Sequence, residues 1–395
     1  MKIDVIGPLE LPKAQGGVTR HCEEIYARIA ADGNEVRVLC AGGPGSTTYR
    51  GLRVRNLRTA RSSGWERLTY AWASSFAAFR GDADIVHYHS FASSAFCALP
   101  KLRGKKVVTT AHRIEWQDAK WGRLTRAFLK FSERAALRTS DALIAVSQAL
   151  KDDLMSRSSR AERITVISNG ITRAEPVPSS ELEALGVRPN DYFLVVGRVV
   201  PEKGIDVAIT AYLELLGRGD GQDSDMPSGM TADLVIVGAA RRAGNEYEAA
   251  LKRQAAPAGG RIHFLGVQPP EIVAALYDHA TALLAPSYQE GQPLVVAEAM
   301  AAGCCVVASD IAAHLELLDD TATFFPTGDA HALANAIAVI LAAPEAARDF
   351  GARAATRISR ATTRGTRRPS PPSGCSRRSE PARPAGAGAH PRVRR

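Results

Sequence analysis

Short runs of β-branched and aliphatic residues alternate along most of the chain with amphipathic segments of helix length, and this alternation limits the fold more than any other feature. Strands apolar on both faces must be covered on both faces, which parallel βαβ units achieve with helices. In the first half the runs are Lys2–Ile6, Glu35–Cys40, Leu52–Leu57, Asp84–His89, Lys106–Thr110, Ala142–Val146 and Ile164–Ile167. In the second half they are Tyr192–Val196, Asp233–Val237, Arg261–Leu265, Thr281–Ala285, Cys305–Ala308 and Thr323–Phe325. Between the two sets, residues 172–190 carry three prolines and polar residues and read as a linker. A second polar stretch, Gly217–Asp233, reads as a surface loop. The expected fold class is α/β, with doubly wound, Rossmann-like domains at 1–171 and 191–360 facing a central crevice. With 395 residues, 45% of them hydrophobic, the chain has material for two such cores.

The formal net charge of +9 suggests an acidic polymer as partner until it is located. Nine of the 50 basic and one of the 41 acidic residues lie in 361–395, leaving 41 against 40 in the rest. The folded part is nearly neutral and carries no nucleic-acid motif, so no specific nucleic-acid partner is expected. The tail has six prolines and Val393 as its one large aliphatic residue, too little apolar surface to offset ordering, and is expected to be disordered. Its abrupt start after Arg360 and its Arg, Pro, Ala and Gly content also fit an out-of-frame segment; other reading frames that encode no amphipathic helix beyond codon 360 would remove that reading.

The six cysteines, Cys22, Cys40, Cys97, Cys304, Cys305 and Cys375, form no CxxC pair, which argues against a disulfide framework or structural zinc and for a reducing compartment. The N-terminus has Lys2, Asp4 and Pro8 where a secretory signal would be apolar, and no uncharged apolar stretch of about 18 residues occurs. A cytoplasmic location is expected.

Ligands of doubly wound sheets bind at the carboxyl ends of the strands. Five loops there hold unusual residues. Gly16-Gly17 precedes a helical segment and lets backbone N–H groups approach an anion or a sugar, although a plain turn explains the pair as well. His112 follows the strand at 106–110, where a structural hydrogen-bonding role competes with a catalytic one. Arg198 and Lys203 follow Tyr192–Val196 and can converge on one dianion, or form a solvated basic turn. Glu290 lies in the loop 286–293 and Glu298 in the helix expected over Leu294–Ala302, with Pro293 and Gly303 as its boundary signals; such carboxylates can bind hydroxyls of one ligand, or be surface charge. Ser168-Asn169-Gly170 closes the last strand of the first half. No GxGxxG follows the first strand and no GxxxxGK[ST] occurs.

In this order the segments QGGVTRHCEEIYARIAADGNEVRVL, DIVHYH, VVTTAH, SDALIAVSQAL, VISNGI, VVGRVVPEKGID, DLVIVG, HFLG and PSYQEGQPLVVAEAMAAGCCVVASD resemble the retaining glycosyltransferases of the GT-B fold, specifically glycosyltransferase family 4. The segment running from Glu115 to Ser147 also looks like enzymes that assemble bacterial exopolysaccharide, capsule or lipopolysaccharide. The resemblance implies transfer from a nucleotide-diphosphate sugar to a lipid-linked or saccharide acceptor. Arg198 and Lys203 would contact the diphosphate, Glu298 the ribose and Glu290 the sugar. His112 would lie near the sugar's C6, Gly16 and Gly17 beside the acceptor or phosphate, and Gly266–Val267 near the base. Pro293 lacks an N–H, so Gly291 and Leu294 would supply the phosphate donors. No cofactor or metal ligand set is implied, although a divalent cation can assist. Basic and aromatic residues in 113–134, including Trp116, Trp121 and Phe128, are candidates for peripheral contact with the inner membrane face, with core packing as the alternative. An epimerase of the same architecture and a basic-tailed binder of anionic polymers are the competing functions.

Overall fold

The computed structural model describes residues 1–12, 17–60, 65–118, 121–157, 163–171, 173–219, 231–240 and 244–365. The first sheet comprises β1 (Lys2–Ile6), β2 (Glu35–Gly42), β3 (Gly45–Tyr49), β4 (Leu52–Arg58), β5 (Ile85–His89), β6 (Lys106–Ala111), β7 (Ala142–Ala145) and β8 (Ile164–Val166), in the order β3-β4-β2-β1-β5-β6-β7-β8. The second comprises β9 (Tyr192–Val196), β10 (Asp233–Val237), β11 (Ile262–Gly266), β12 (Ala282–Ala285), β13 (Val306–Ser309) and β14 (Thr323–Phe325), in the order β11-β10-β9-β12-β13-β14. Every pairing is parallel except β3 with β4.

Helices α1 (Gly17–Ala31), α2 (Glu66–Arg80), α3 (Ala98–Lys101), α4 (Arg123–Thr139) and α5 (Gln148–Met155) accompany the first sheet. With the second go α6 (Ser180–Ala184), α7 (Ile205–Gly219), α8 (Glu246–Ala255), α9 (Pro270–His279), α10 (Leu294–Ala302), α11 (Ala312–Leu318), α12 (Ala330–Ala342) and α13 (Pro344–Gly365). Along β9, Tyr192 and Leu194 enter one buried cluster while Phe193 and Val195 enter the other, the period of two that covers a sheet on both faces.

Three local features differ from the sequence reading. The edge strand β3 is antiparallel and reads GSTTY, which has no aliphatic signal to mark it. The stretch 172–190 is not a spacer throughout: it contains α6, and Leu182 and Val187 are buried in the second core. The last helix continues through residues 361–365, past the composition break, because Ala, Thr and Arg extend an existing helix at little cost. Residues 366–395 lie outside the described residues. No single described helix is long and apolar enough to cross a membrane.

Candidate active site

Strand order reverses between β1 and β5 in one sheet and between β9 and β12 in the other; the loops after β1, β6, β9 and β12 leave the strands at or beside these two points, while Ser168-Asn169-Gly170 follows the edge strand β8. Backbone contacts fix the loop after β9. Gly204 is left-handed, and a Cβ there would sit 2.1 Å from the Pro286 carbonyl oxygen, so the loop lies directly on the segment after β12. A Cβ on Gly238 would sit 1.8 Å from the Gly197 oxygen. Only glycine permits both approaches.

This packing brings Lys203 to Glu290. The ammonium donates to the carboxylate at 2.5 Å, and the Ser287 hydroxyl donates to the same oxygen at 3.0 Å. Burial pushes the Glu290 pKa up, but the Lys203 charge and both hydrogen bonds outweigh it, leaving the carboxyl below its usual range. Arg198 is exposed at the crevice and has no ion pair among the described residues. Partial loss of solvent, then the neighbouring Arg113, lower its pKa from the ordinary guanidinium value. It is a cation in want of an anion.

Helix α10 begins at Leu294, as the sequence suggests, with Pro293 as its extended cap, and ends on left-handed Gly303. Within it Glu298 accepts from Arg20 of α1 at 2.8 Å, and Tyr277 approaches its other oxygen at 3.4 Å. Burial raises the Glu298 pKa, and Arg20 and Tyr277 only partly offset it. Arg20, Arg198, Gly238, Val267, Tyr277 and Glu298 line one cavity of about 270 Å³. Gly266 closes β11, its carbonyl accepting from Gly238 N–H at 2.7 Å.

The two domains meet along this crevice. A Cβ on Gly291 would fall 1.5 Å from the His112 carbonyl oxygen, and one on Gly17 would fall 3.2 Å from Leu294. The N-termini of α1 and α10 therefore face each other, with Arg198 and Lys203 on loops nearby. Further links are Ser147 hydroxyl to Gly291 carbonyl at 2.8 Å, Asn169 N–H to Gln292 at 2.6 Å, and the Glu316 carboxylate on the N–H groups of Gln148 and Ala149, both 2.7 Å. Every candidate except Gly16, which lies outside the described residues, thus belongs to this crevice and its walls.

Within 113–134 the three named aromatics are packed or half-buried, whereas Leu124 and Phe131 of α4 are exposed beside Arg123 and Arg134. Trp116 packs on the first domain's core and donates to Glu133 at 2.8 Å, while Trp121, with Arg67 over its ring, and Phe128 are half-buried.

Sequence reasoning missed the surroundings of His112. His21, His87, His89 and Tyr26 gather behind it, and ligand nitrogens of His21, His89 and His112 lie within 4.8 Å of one another. The available signal was His87 and His89 in DIVHYH, two residues apart on one strand and hence on one face.

Comparison with known proteins agrees with this architecture. Residues 15–175 match the family Glycosyltransferase Family 4, and residues 182–357 match Glycosyl transferases group 1. The chain is 28% identical to an alpha-maltose-1-phosphate synthase of Mycolicibacterium smegmatis and 30% identical to that of Mycobacterium tuberculosis, covering 86% of this chain and 90% of each relative. Anabaena HepE in complex with UDP-glucose has a similar structure, with a TM-score of 0.72 and 20% identity over 92% of this chain and 98% of that one. The matches on both halves, with 30% identity across nine-tenths of a relative, show that the chain belongs to glycosyltransferase family 4 and is a glycosyltransferase of the GT-B fold.

Proposed function

We propose that the protein moves a sugar from a nucleotide-diphosphate sugar to a saccharide or lipid-linked acceptor with retention of configuration. The observation that carries this reading is the meeting of the α1 and α10 N-termini beside Arg198 and Lys203. Breaking a sugar–phosphate bond adds charge to the departing diphosphate, and preorganised cations and N–H dipoles stabilise that charge. Arg198 meets it without first leaving another anion. Glu290, neutralised by Lys203, suits hydroxyl binding better than attack on the anomeric carbon, so no protein nucleophile is assigned and the acceptor adds from the leaving-group face. Glu298 binds ribose, and the cavity at Val267 holds the base. HepE, whose structure contains UDP-glucose, makes a uridine nucleotide the first donor to test.

Incubation with UDP-, GDP- and dTDP-sugars tests this reading. A true donor at a hundredfold excess over Kd stabilises the fold by about 2.7 kcal/mol. Absence of both stabilisation and hydrolysis across the set would sink the proposal, and a product of unchanged mass would point to epimerisation.

For the acceptor, the relatives named for maltose 1-phosphate favour a phosphate-bearing saccharide as the alternative to a growing surface polysaccharide. Mass spectrometry of products from sugar phosphates and from lipid-linked oligosaccharides separates the two. For a location at the cytoplasmic membrane face, α2 offers a second patch besides the segment 113–134. Trp72 and Phe76 stack at 5.2 Å on α2 at 51% and 37% exposure, with Arg80 over Phe76. Exposed aromatics beside arginines suit an anionic lipid surface. Binding to phosphatidylglycerol vesicles that persists in a Trp72→Ser/Phe76→Ser variant would exclude this patch.

A further inference from the structure

Behind His112 runs an unbroken row of hydrogen bonds. Thr110 Oγ1 lies 2.8 Å from His87 Nε2, and His87 Nδ1 lies 2.7 Å from the Tyr26 hydroxyl. The same hydroxyl lies 2.7 Å from His89 Nε2, and His89 Nδ1 lies 3.1 Å from His112 Nε2. Tyr26, His89 and Thr110 are almost wholly buried, and His112 borders the crevice at Gly291. His21 packs edge-on against His89 and His112 with ring centroids 5.3 and 4.9 Å away.

Each imidazole here is neutral. Burial pushes the His87 pKa down to about 3 and that of His21 to about 4, and moves those of His89 and His112 well below the usual value. Burial likewise keeps Tyr26 protonated. A neutral imidazole donates from one nitrogen and accepts at the other. Tyr26, bonded to two ring nitrogens, donates to one and accepts from the other. Choosing the direction of one bond therefore dictates all the rest.

We propose that Tyr26, His87 and His89 are positioning residues that set the tautomer of His112, and that the row has two proton orders only: all three imidazoles protonated on Nδ1, or all three on Nε2. In the first order Thr110 donates to His87 and His112 is left with an Nδ1 hydrogen to donate. In the second every bond is reversed and His112 Nδ1 is a bare acceptor. Among the described residues no protein group bonds His112 Nδ1, so this nitrogen is the open end of the row. Whether His112 offers a hydrogen to a sugar oxygen or accepts one from a sugar hydroxyl is then decided by groups that never touch the sugar. The sugar-facing part of this inference rests on the proposed donor site; the shared tautomer does not.

Long-range 1H–15N spectra of the full-length protein labelled at histidine nitrogen test the row directly. The expected result is one common tautomer for His87, His89 and His112 at pH 7. Tyr26→Phe, which keeps the packing, uncouples His87 from the other two. Thr110→Val, four hydrogen bonds away, alters the tautomer population at His112. Mixed tautomers in the wild type, imidazolium signals at pH 7, or metal-bound imidazole signals at His21, His89 and His112 after dialysis would each overturn the proposal. Kinetically, the preference for UDP-glucose over UDP-6-deoxyglucose falls about two- to tenfold in Tyr26→Phe, the loss of one neutral hydrogen bond, while turnover of the 6-deoxy donor is unchanged. A wild-type protein that uses neither donor refutes UDP-glucose as its donor but not the transfer reading, and the spectra still decide the row.

Discussion

Arg20 on α1 and Glu298 on α10 are joined at 2.8 Å across the crevice, so the carboxylate proposed to hold ribose is already engaged by a cation of the opposite domain. Arg20 is nearly half exposed and the pair is screened, whereas a carboxylate–hydroxyl bond in the cavity is not. Glu298→Gln is expected to weaken UDP binding by about ten- to a hundredfold, the range for hydrogen bonds to a charged group. Arg20→Met should change it by less than about fivefold. Isothermal titration of both variants decides, and equal losses would make Arg20 the ligand.

Arg198 and Lys203 stand five positions apart but in opposite circumstances. Arg198 has no anionic partner among the described residues, so Arg198→Ala is expected to lower kcat by about 10²–10³ while moving stability by less than about 0.5 kcal/mol. Lys203→Ala strands the partly buried Glu290 carboxylate and should also cost about 2–3 kcal/mol of stability, below the range for a fully buried pair. Urea unfolding beside steady-state kinetics measures both, and an equally destabilised Arg198→Ala would refute the distinction.

Glu298 and Glu290 are displaced in opposite directions, the first raised chiefly by burial and the second lowered because Lys203 outweighs burial. On acidification Glu298 protonates first, above the ordinary glutamate value. The stability contributed by Glu290 is present above its unfolded pKa and is lost only as pH falls through its depressed one. UDP-glucose binding should therefore weaken with falling pH before the fold does, and Glu298→Gln should flatten that dependence. Binding and unfolding curves that fall together would contradict it.

The buried imidazoles set a second pH dependence. His21 and His87 titrate near 4 and 3 when folded and near 6.5 when unfolded, so only the unfolded chain takes up their protons as pH drops below about 6.5. Their contribution is complete above that value and shrinks below it, by up to about 1.4 kcal/mol per pH unit for each imidazole. Unfolding free energy is expected to fall between pH 7 and pH 5; a value constant over that span would mean the cluster takes up protons while folded.

Gly351 sits inside α13, where alanine ordinarily improves a helix by about 1 kcal/mol. Here a Cβ would lie 2.0 Å from the Gly303 carbonyl oxygen at the end of α10. Gly351→Ala is expected to destabilise by about 1–3 kcal/mol, the cost of overpacking. Thermal unfolding of the variant gives the sign, and an increase in Tm would show that α13 shifts freely.

Much of the fold was legible because its strands are short, apolar and buried on both faces. β1, β9, β10 and β14 have the same bounds in sequence and structure. β3 was not, since an exposed edge strand carries no apolar pattern. The crevice residues were legible one loop at a time, but their pairing was not. Nothing in the spacing of Lys203 and Glu290 indicates that each neutralises the other, because that contact depends on Gly204 letting two backbones touch. Arg20 and Tyr26 sit on a helix whose polar and buried faces are ordinary in sequence, and their roles arise from the opposite domain and from a strand about sixty residues away.

The contact of Gly291 with the His112 carbonyl is made by main chain on both sides. Side chains can be trimmed or swapped by substitution; a peptide group meeting an α-carbon cannot. Any Cβ at Gly291 would therefore have to push the two domains apart, whereas exchanging the side chains around it leaves this approach unchanged. The spacing of the two domains at this point is thus written in backbone geometry rather than in side chains.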